Sequence, residues 1–394
     1  MMAAVTATPH YPVISLRVVQ AIPDTELERR RKRIREIMAQ KEIDVLLFHS
    51  IGGYLRYVTN YLGTGSIEYL LFPLQAELLF FGRDDDSIME ARAHHGLAES
   101  VPLSSFESTE KDVEIVSDAI KKFEPKCVGI VDVSRAPAGF YIALKERLQG
   151  VSLVDATSLV DEVRMTKSLV EKIALERSAR ICDKAVNVCK DILRPGKREY
   201  EVIAEIVSEA RRNASETEKI ITGSGPCNKE VLNLSLNLKN RMFSRGDLFR
   251  LHLYISGPGG YWTEISRVFV LGKPTEDLNK AFEQAVCVRQ AALEKLRPGV
   301  KVGEVYEAAL QKSKEIGCSL QKEVIGYSQG LDIVEKPLVY KGVNGEVRTM
   351  MHFCLGCVVK VNKAYVQIAD NYFIEEEGVR RLQKTPEEIF AIEV

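Results

Sequence analysis

The chain has 394 residues, 45% hydrophobic and 28% charged, and its 54 basic residues nearly balance 55 acidic ones at a formal charge of -1. That length suits two domains with real cores, and the charge balance argues against a nucleic-acid binder held by a basic surface. No run approaches the roughly 18 apolar residues of a membrane span. The opening MMAAVTATPHYPVISL lacks the pattern of a secretory signal, and the eight cysteines read as reduced thiols, so the expectation is a cytoplasmic protein with no membrane or nucleic-acid partner.

The segment Thr25 to Gln40 predicts a helix, with Leu27, Ile34, Ile37 and Met38 on one side and arginines as a solvated face on the other. Ile43 to Phe48 suits a buried strand, and Tyr69 to Phe72 and Leu78 to Phe81 suit two more around a polar turn at Leu74 to Glu77. A helix near Val113 to Phe123 and a strand Cys127 to Val131 complete the alternation of an α/β domain over residues 1–160.

A long amphipathic helix from Lys167 to Leu193 stops at Pro195-Gly196. About a hundred residues later Leu296-Arg297-Pro298-Gly299 repeats Leu193-Arg194-Pro195-Gly196, again after a long helix and before another helix and strands. This implies an internally duplicated second domain over 161–394, with its pocket between the halves. Lys219 to Thr222 predicts a strand ended by a turn at Gly223 to Pro226. Asp247 to Ser256 and Tyr261 to Leu271 predict a β-hairpin around Gly257-Pro258-Gly259-Gly260, and Gly356 to Val361 and Tyr365 to Ile374 predict further strands.

Four of these stretches carry a likeness to a known family. They are Arg245-Gly246-Asp247 running into Gly260-Tyr261-Trp262-Thr263-Glu264-Ile265-Ser266-Arg267, Gly326-Tyr327-Ser328-Gln329-Gly330-Leu331-Asp332 to Pro337, Leu355-Gly356-Cys357-Val358 to Asn362, and Val366-Gln367-Ile368-Ala369-Asp370. In order and spacing they resemble the creatinase, prolidase and methionine aminopeptidase (M24) superfamily, and Tyr54 to Tyr61 resembles the creatinase-type N-terminal domain. The resemblance implies an α/β N-terminal creatinase-like domain followed by an α+β pita-bread domain with internal duplication. It also implies a homodimer in which Tyr54, Arg56 and Tyr57 could reach a neighbour's cleft.

The departures matter as much. Peptidases of this superfamily hold two divalent ions with two aspartates, a histidine and two glutamates, because paired cations need several anionic oxygens. The corresponding positions here are His252, Glu264, Tyr327, Asn362 and Ala369, and Val334 replaces a second cleft histidine. The expectation is no dinuclear metal and no cofactor, with a single metal on His252, Glu264 and Tyr327 as a thinner alternative. Creatinase, a metal-free member, takes its base from a loop that here reads Asn233 to Asn237 and holds no histidine.

What remains is His252 on one hairpin strand and Glu264 on the next, a pair able to transfer protons near neutral pH. Tyr327 and Asn362 would hold a substrate, joined by Gln367, His352 and Tyr57. The expected function is a metal-independent small-molecule hydrolase or lyase cleaving a C–N bond. The alternative is a catalytically silent scaffold that binds a protein or a small molecule. Cys354 and Cys357 have metal-type spacing but read as buried thiols.

Overall fold

The computed structural model describes residues 22–394 apart from 64–65, 96, 98, 105–107 and 232–239, and apart from the side chains of 93–95. The N-terminal segment and the loop Asn233 to Asn237 lie outside the described residues. The first domain runs α1 (Asp24–Gln40), β1 (Val45–His49), α2 (Gly53–Thr59), β2 (Tyr69–Pro73), β3 (Leu79–Gly82), α3 (Asp85–His95), β4 (Glu99–Pro102), α4 (Thr109–Lys121), β5 (Cys127–Ile130), α5 (Ala138–Arg147), β6 (Ser152–Asp155) and α6 (Thr157–Met165). Its six strands form a mixed sheet in the order β4-β3-β2-β1-β5-β6. The uninterrupted apolar runs in the sequence follow from cover on both faces. Leu46 and Phe48 face the cluster with α1, α2 and α6, while Val45 and Leu47 face the one with α4 and α5.

The second domain runs α7 (Leu169–Ile192), α8 (Glu199–Arg212), β7 (Thr217–Pro226), β8 (Asp247–Ser256), β9 (Trp262–Leu271), α9 (Glu276–Lys295), α10 (Val302–Glu315), β10 (Gly326–Ser328), β11 (Glu335–Val339), β12 (His352–Val361), β13 (Ala364–Glu375), β14 (Gly378–Arg381) and β15 (Ile389–Ile392). The main path of its sheet is β11-β10-β12-β13-β9-β8-β7, with β14 on β13 and β15 on β9. Two helices followed by antiparallel strands occur twice, which is the duplication expected from the repeated helix stop. At both stops the glycine adopts a left-handed φ, 89° at Gly196 and 87° at Gly299, which ends the preceding helical path at little steric cost. α7 is started by Ser168, whose hydroxyl accepts from Glu171 N–H while Glu171 reaches back to the Ser168 amide. Among the described residues no helix is long and apolar enough to cross a membrane.

Two local expectations need correction. Gly223 to Pro226 is not a turn but the end of β7, paired with β8 through Pro226 opposite Asp247. β7 closes the main path of the sheet, where a proline costs no ladder bond. The arginine face of α1 is not all solvated either. Arg30 is 1% exposed and donates to Glu26, to the Tyr57 carbonyl and to the Tyr261 hydroxyl, tying the two domains together.

A second tie is ionic. Arg164 at the end of α6 reaches Asp332 at 2.7 Å and Glu335 at 2.5 Å, Lys167 reaches Glu335 at 2.7 Å, and Asp332 accepts from Gly53 N–H. Burial alone would raise the Glu335 carboxyl, but Arg164 and Lys167 outweigh it and hold it down to about 2. A carboxylate lowered in the folded state stabilises above its ordinary range and loses that contribution as pH falls. Glu335→Gln is therefore expected to cost about 3 kcal/mol near neutrality. In thermal melts from pH 8 downward, the deficit should be complete above the ordinary value of 4.5 and close towards pH 2. A deficit independent of pH would mean that shape, not charge, is what Glu335 supplies.

Candidate functional site

Strand alternation decides which side chains meet. β8 pairs with β9 so that His252 lies opposite Ser266 and Tyr254 opposite Glu264. Leu251, Leu253, Ile255, Ile265 and Phe269 point outward onto α7 and α8, leaving Arg250, His252, Tyr254, Glu264 and Ser266 on the inner face. β13 joins through Ala369 opposite Ser266 and adds Tyr365, Gln367 and Asn371 to that face. β12, pairing Cys354 with Asn371, adds Cys354 and His352.

At the centre His252 Nε2 and Glu264 Oε1 are 2.5 Å apart, and both residues are 3% exposed. The other carboxylate oxygen accepts from the Tyr327 hydroxyl at 2.5 Å and from the Gln329 amide at 3.4 Å, and the Cys354 thiol also hydrogen-bonds the carboxylate. Behind the pair is a chain of buried amides. Asn371 Oδ1 accepts from Glu264 N–H at 2.7 Å, Asn371 Nδ2 donates to Gln329 Oε1 at 2.6 Å, and Gln383 Nε2 donates to Asn371 Oδ1 at 2.8 Å. Burial would raise Glu264, but His252 and the Tyr327 and Cys354 donors outweigh it, so the carboxyl sits below its ordinary range. Tyr327 is pushed far up, by burial and by the Glu264 charge, and stays a neutral donor.

Gln367 Nε2 lies 3.0 Å from His252 Nδ1, while its Oε1 is buried without a partner. With the amide donating, Nδ1 is an acceptor and the imidazole proton sits on Nε2, facing Glu264. Rotating the amide by 180° would present Oε1 to a protonated Nδ1. Gln367 can thus serve either protonation state of His252.

Of the residues singled out in the sequence, His252, Glu264, Tyr327 and Gln367 come together. His352 lies on the same face, wholly buried, with Nδ1 3.2 Å from the Gln329 carbonyl; burial and Lys167 lower it to about 3, so it is a neutral group positioning Gln329. Asn362 is not in the site. It sits at the tip of the β12–β13 hairpin with φ 49° and donates to Asp277. A two-residue turn between Val361 and Ala364 needs a left-handed residue, and asparagine is favoured there. Tyr57 is also displaced from its expected role. It is 1% exposed, packed between α1 and α2 with the Arg30 guanidinium 4.5 Å over its ring, and so cannot project into a neighbour's cleft.

Gln329, Asn371 and Gln383 escaped the sequence reading, and Cys354 was read as a buried thiol but not as a partner of Glu264. Two-residue steps from Tyr327 and Ala369 point to Gln329 and Asn371, but nothing local marks Cys354 or Gln383. Cys354 and Cys357 fall on opposite faces of β12, one at Glu264 and the other in the cluster under α9, so their spacing makes no chelate.

The donor set does not fit a dinuclear metal centre. The cluster offers one carboxylate, and its two oxygens already engage His252 and Tyr327; the remaining donors are amides, a phenol and a thiol, and Ala369 offers none.

Comparison with known proteins agrees with this architecture. Residues 30–166 match the model of the creatinase/prolidase N-terminal domain and residues 174–376 that of metallopeptidase family M24. An Xaa-Pro dipeptidase of Pyrococcus horikoshii is 25% identical over 299 residues, covering 73% of this chain and 84% of that protein. A probable dipeptidase PepE of Mycobacterium tuberculosis is 25% identical over 261 residues, covering 66% and 68%. Among solved structures, the prolidase from Pyrococcus horikoshii OT3 superposes with a TM-score of 0.78 at 22% identity, covering 92% of this chain and 99% of that one. The X-Pro aminopeptidase from Thermotoga maritima gives 0.81 at 17% identity, with coverage of 92% and 99%.

Proposed function

The chain belongs to metallopeptidase family M24, and from that premise we propose that it is a hydrolase of small amides whose proton transfer is carried by His252 and Glu264 without a metal. The observation that carries this is the 2.5 Å contact between His252 Nε2 and a buried, ionised Glu264, with His252 Nδ1 held by one exchangeable amide. A substrate that displaces Gln367 frees Nδ1 to take a proton from water as the water oxygen bonds to the carbonyl carbon. Glu264 stabilises the imidazolium so formed. Nδ1 then returns the proton to the amide nitrogen as the C–N bond breaks. Gln367 Oε1, which has no partner in the free protein, can accept a substrate N–H once the side chain has moved. The dipeptidase names of the relatives support the substrate class.

A second reading, a silent scaffold, is favoured by how fully the pair is internally satisfied at 3% exposure. Turnover of a panel of dipeptides and N-acyl amino acids separates the two. The hydrolase reading expects release of free amine by the wild type, unchanged in a chelator, and a fall of about 10²-fold or more in His252→Gln, whose amide can still donate to Glu264 but cannot act as a base, with the fold still assembled. Wild-type activity abolished by chelator and restored by added divalent ion would overturn metal independence. No turnover across the panel would favour the scaffold.

A further inference from the structure

We propose that Arg250 is the anion-binding group of this site, and that the ligand it selects is a small amide carrying a carboxylate. The proposal rests on the hydrolase reading for the amide, but its test is binding.

Arg250 stands two residues before His252 on the same face of β8, about 6.8 Å along the strand. It is 2% exposed. Its Nη2 donates to the Val231 carbonyl, its Nη1 to the Tyr365 carbonyl at 3.4 Å, and its guanidinium lies 4.8 Å over the Tyr365 ring. Its Nε is buried with no partner, and among the described residues no carboxylate lies within ion-pair distance of it. The other buried arginines are different. Arg30 has Glu26, Arg83 has Asp112, Arg164 has Asp332 and Glu335, and Arg267 and Arg289 share Asp370.

Burying a guanidinium with no counter-ion is strongly unfavourable. Burial lowers Arg250 to about 10, whereas Arg164, buried beside Glu335 and Asp332, is raised by those carboxylates. A ligand carboxylate would supply the missing charge, and the free Nε gives it a hydrogen bond in the plane of the guanidinium. β13 repeats the spacing, with Gln367 beside His252 and Tyr365 beside Arg250. A ligand lying along the strands would place its amide at His252 and its carboxylate at Arg250. One guanidinium matches a singly charged carboxylate.

The test compares N-acetylglycine with its uncharged partner N-acetylglycinamide, by thermal shift and calorimetry, on the wild type, Arg250→Met and Arg250→Lys. The acid should raise Tm with concentration and the amide should not, by mass action on the folded state. Arg250→Met should weaken acid binding about tenfold or more, with Arg250→Lys in between. Without ligand, the Met variant should melt at or above the wild-type temperature, because an apolar replacement removes an unpaired charge. Equal shifts with acid and amide, or an acid shift that survives in the Met variant, would overturn the proposal. If the Met variant does not fold, the wild-type and Lys comparisons still decide. Acid-selective binding without turnover would keep Arg250 as the anion site and remove the hydrolase reading; turnover without acid preference would do the reverse.

Discussion

Asp370→Ala is expected to destabilise the protein by about 4 kcal/mol and to lower its Tm by roughly 10 °C. Asp370 is wholly buried and receives Arg267 at 2.6 Å, Arg289 at 2.8 Å and Arg381 at 3.0 Å. These arginines come from β9, α9 and β14, so one carboxylate joins three elements around β13. Burial would raise the Asp370 carboxyl, and the three guanidinium groups outweigh it and hold it below the carboxylate range. Glu387 remains for Arg289 and Arg381, but Arg267 is left with backbone carbonyls of Ser266, Ala369, Thr385 and Pro386. Removing one partner from a buried ionic cluster costs more than the cluster's net worth, because the charges left behind stay desolvated. Asp370→Asn, which keeps an acceptor but not the charge, should fall between. Melts followed by circular dichroism check this; a drop below about 3 °C for the alanine would mean the carbonyls suffice.

Glu264→Gln is expected to reduce turnover of any amide the wild type cleaves by about 10²- to 10⁴-fold while leaving the fold assembled. The substitution keeps shape and removes the charge that stabilises protonated His252. One oxygen can still accept from Tyr327, but the new NH2 faces His252 Nε2, which then acts as an acceptor, and the imidazole proton moves to Nδ1. That is the atom from which the proposed reaction needs a lone pair. In the free protein Gln367 would turn its Oε1 towards the new Nδ1–H, so nitrogen-15 shifts of the His252 ring should report a reversed tautomer. Full activity in Glu264→Gln would exclude the carboxylate from proton transfer. A lost activity with an unchanged tautomer would place its role elsewhere than on His252.

The sequence by itself marked the main helices and strands in their order, though not α2, β4, α5, β6, β11 or β14. The apolar runs at Leu46 and Leu70, the repeated helix stop at Pro195 and Pro298 and the glycine turn before Tyr261 are local signals. They depend on covalent geometry and on period-2 or period-3.6 burial, which neighbours along the chain already encode. His252 and Glu264 were legible for the same reason, since one hairpin joins them across a short turn. Asn362 was placed in the site by its motif alone, although the strand expected over Gly356 to Val361 already stops before it; the β12–β13 pairing, with Val361 opposite Ala364, puts it at the tip. Tyr57 was misjudged because an aromatic on a short helix carries no mark of which partner will cover it, and here α1 does. The amides around Glu264 come from the segment after β10, from β13 and from the segment after β14, the counter-ions of Asp370 come from three elements, and Arg250 meets no carboxylate among the described residues. These are properties of a surface that exists once the strands are paired, because the charge or hydrogen bond a buried group needs is met by residues far away in sequence. Only the tertiary structure decides whether it is met.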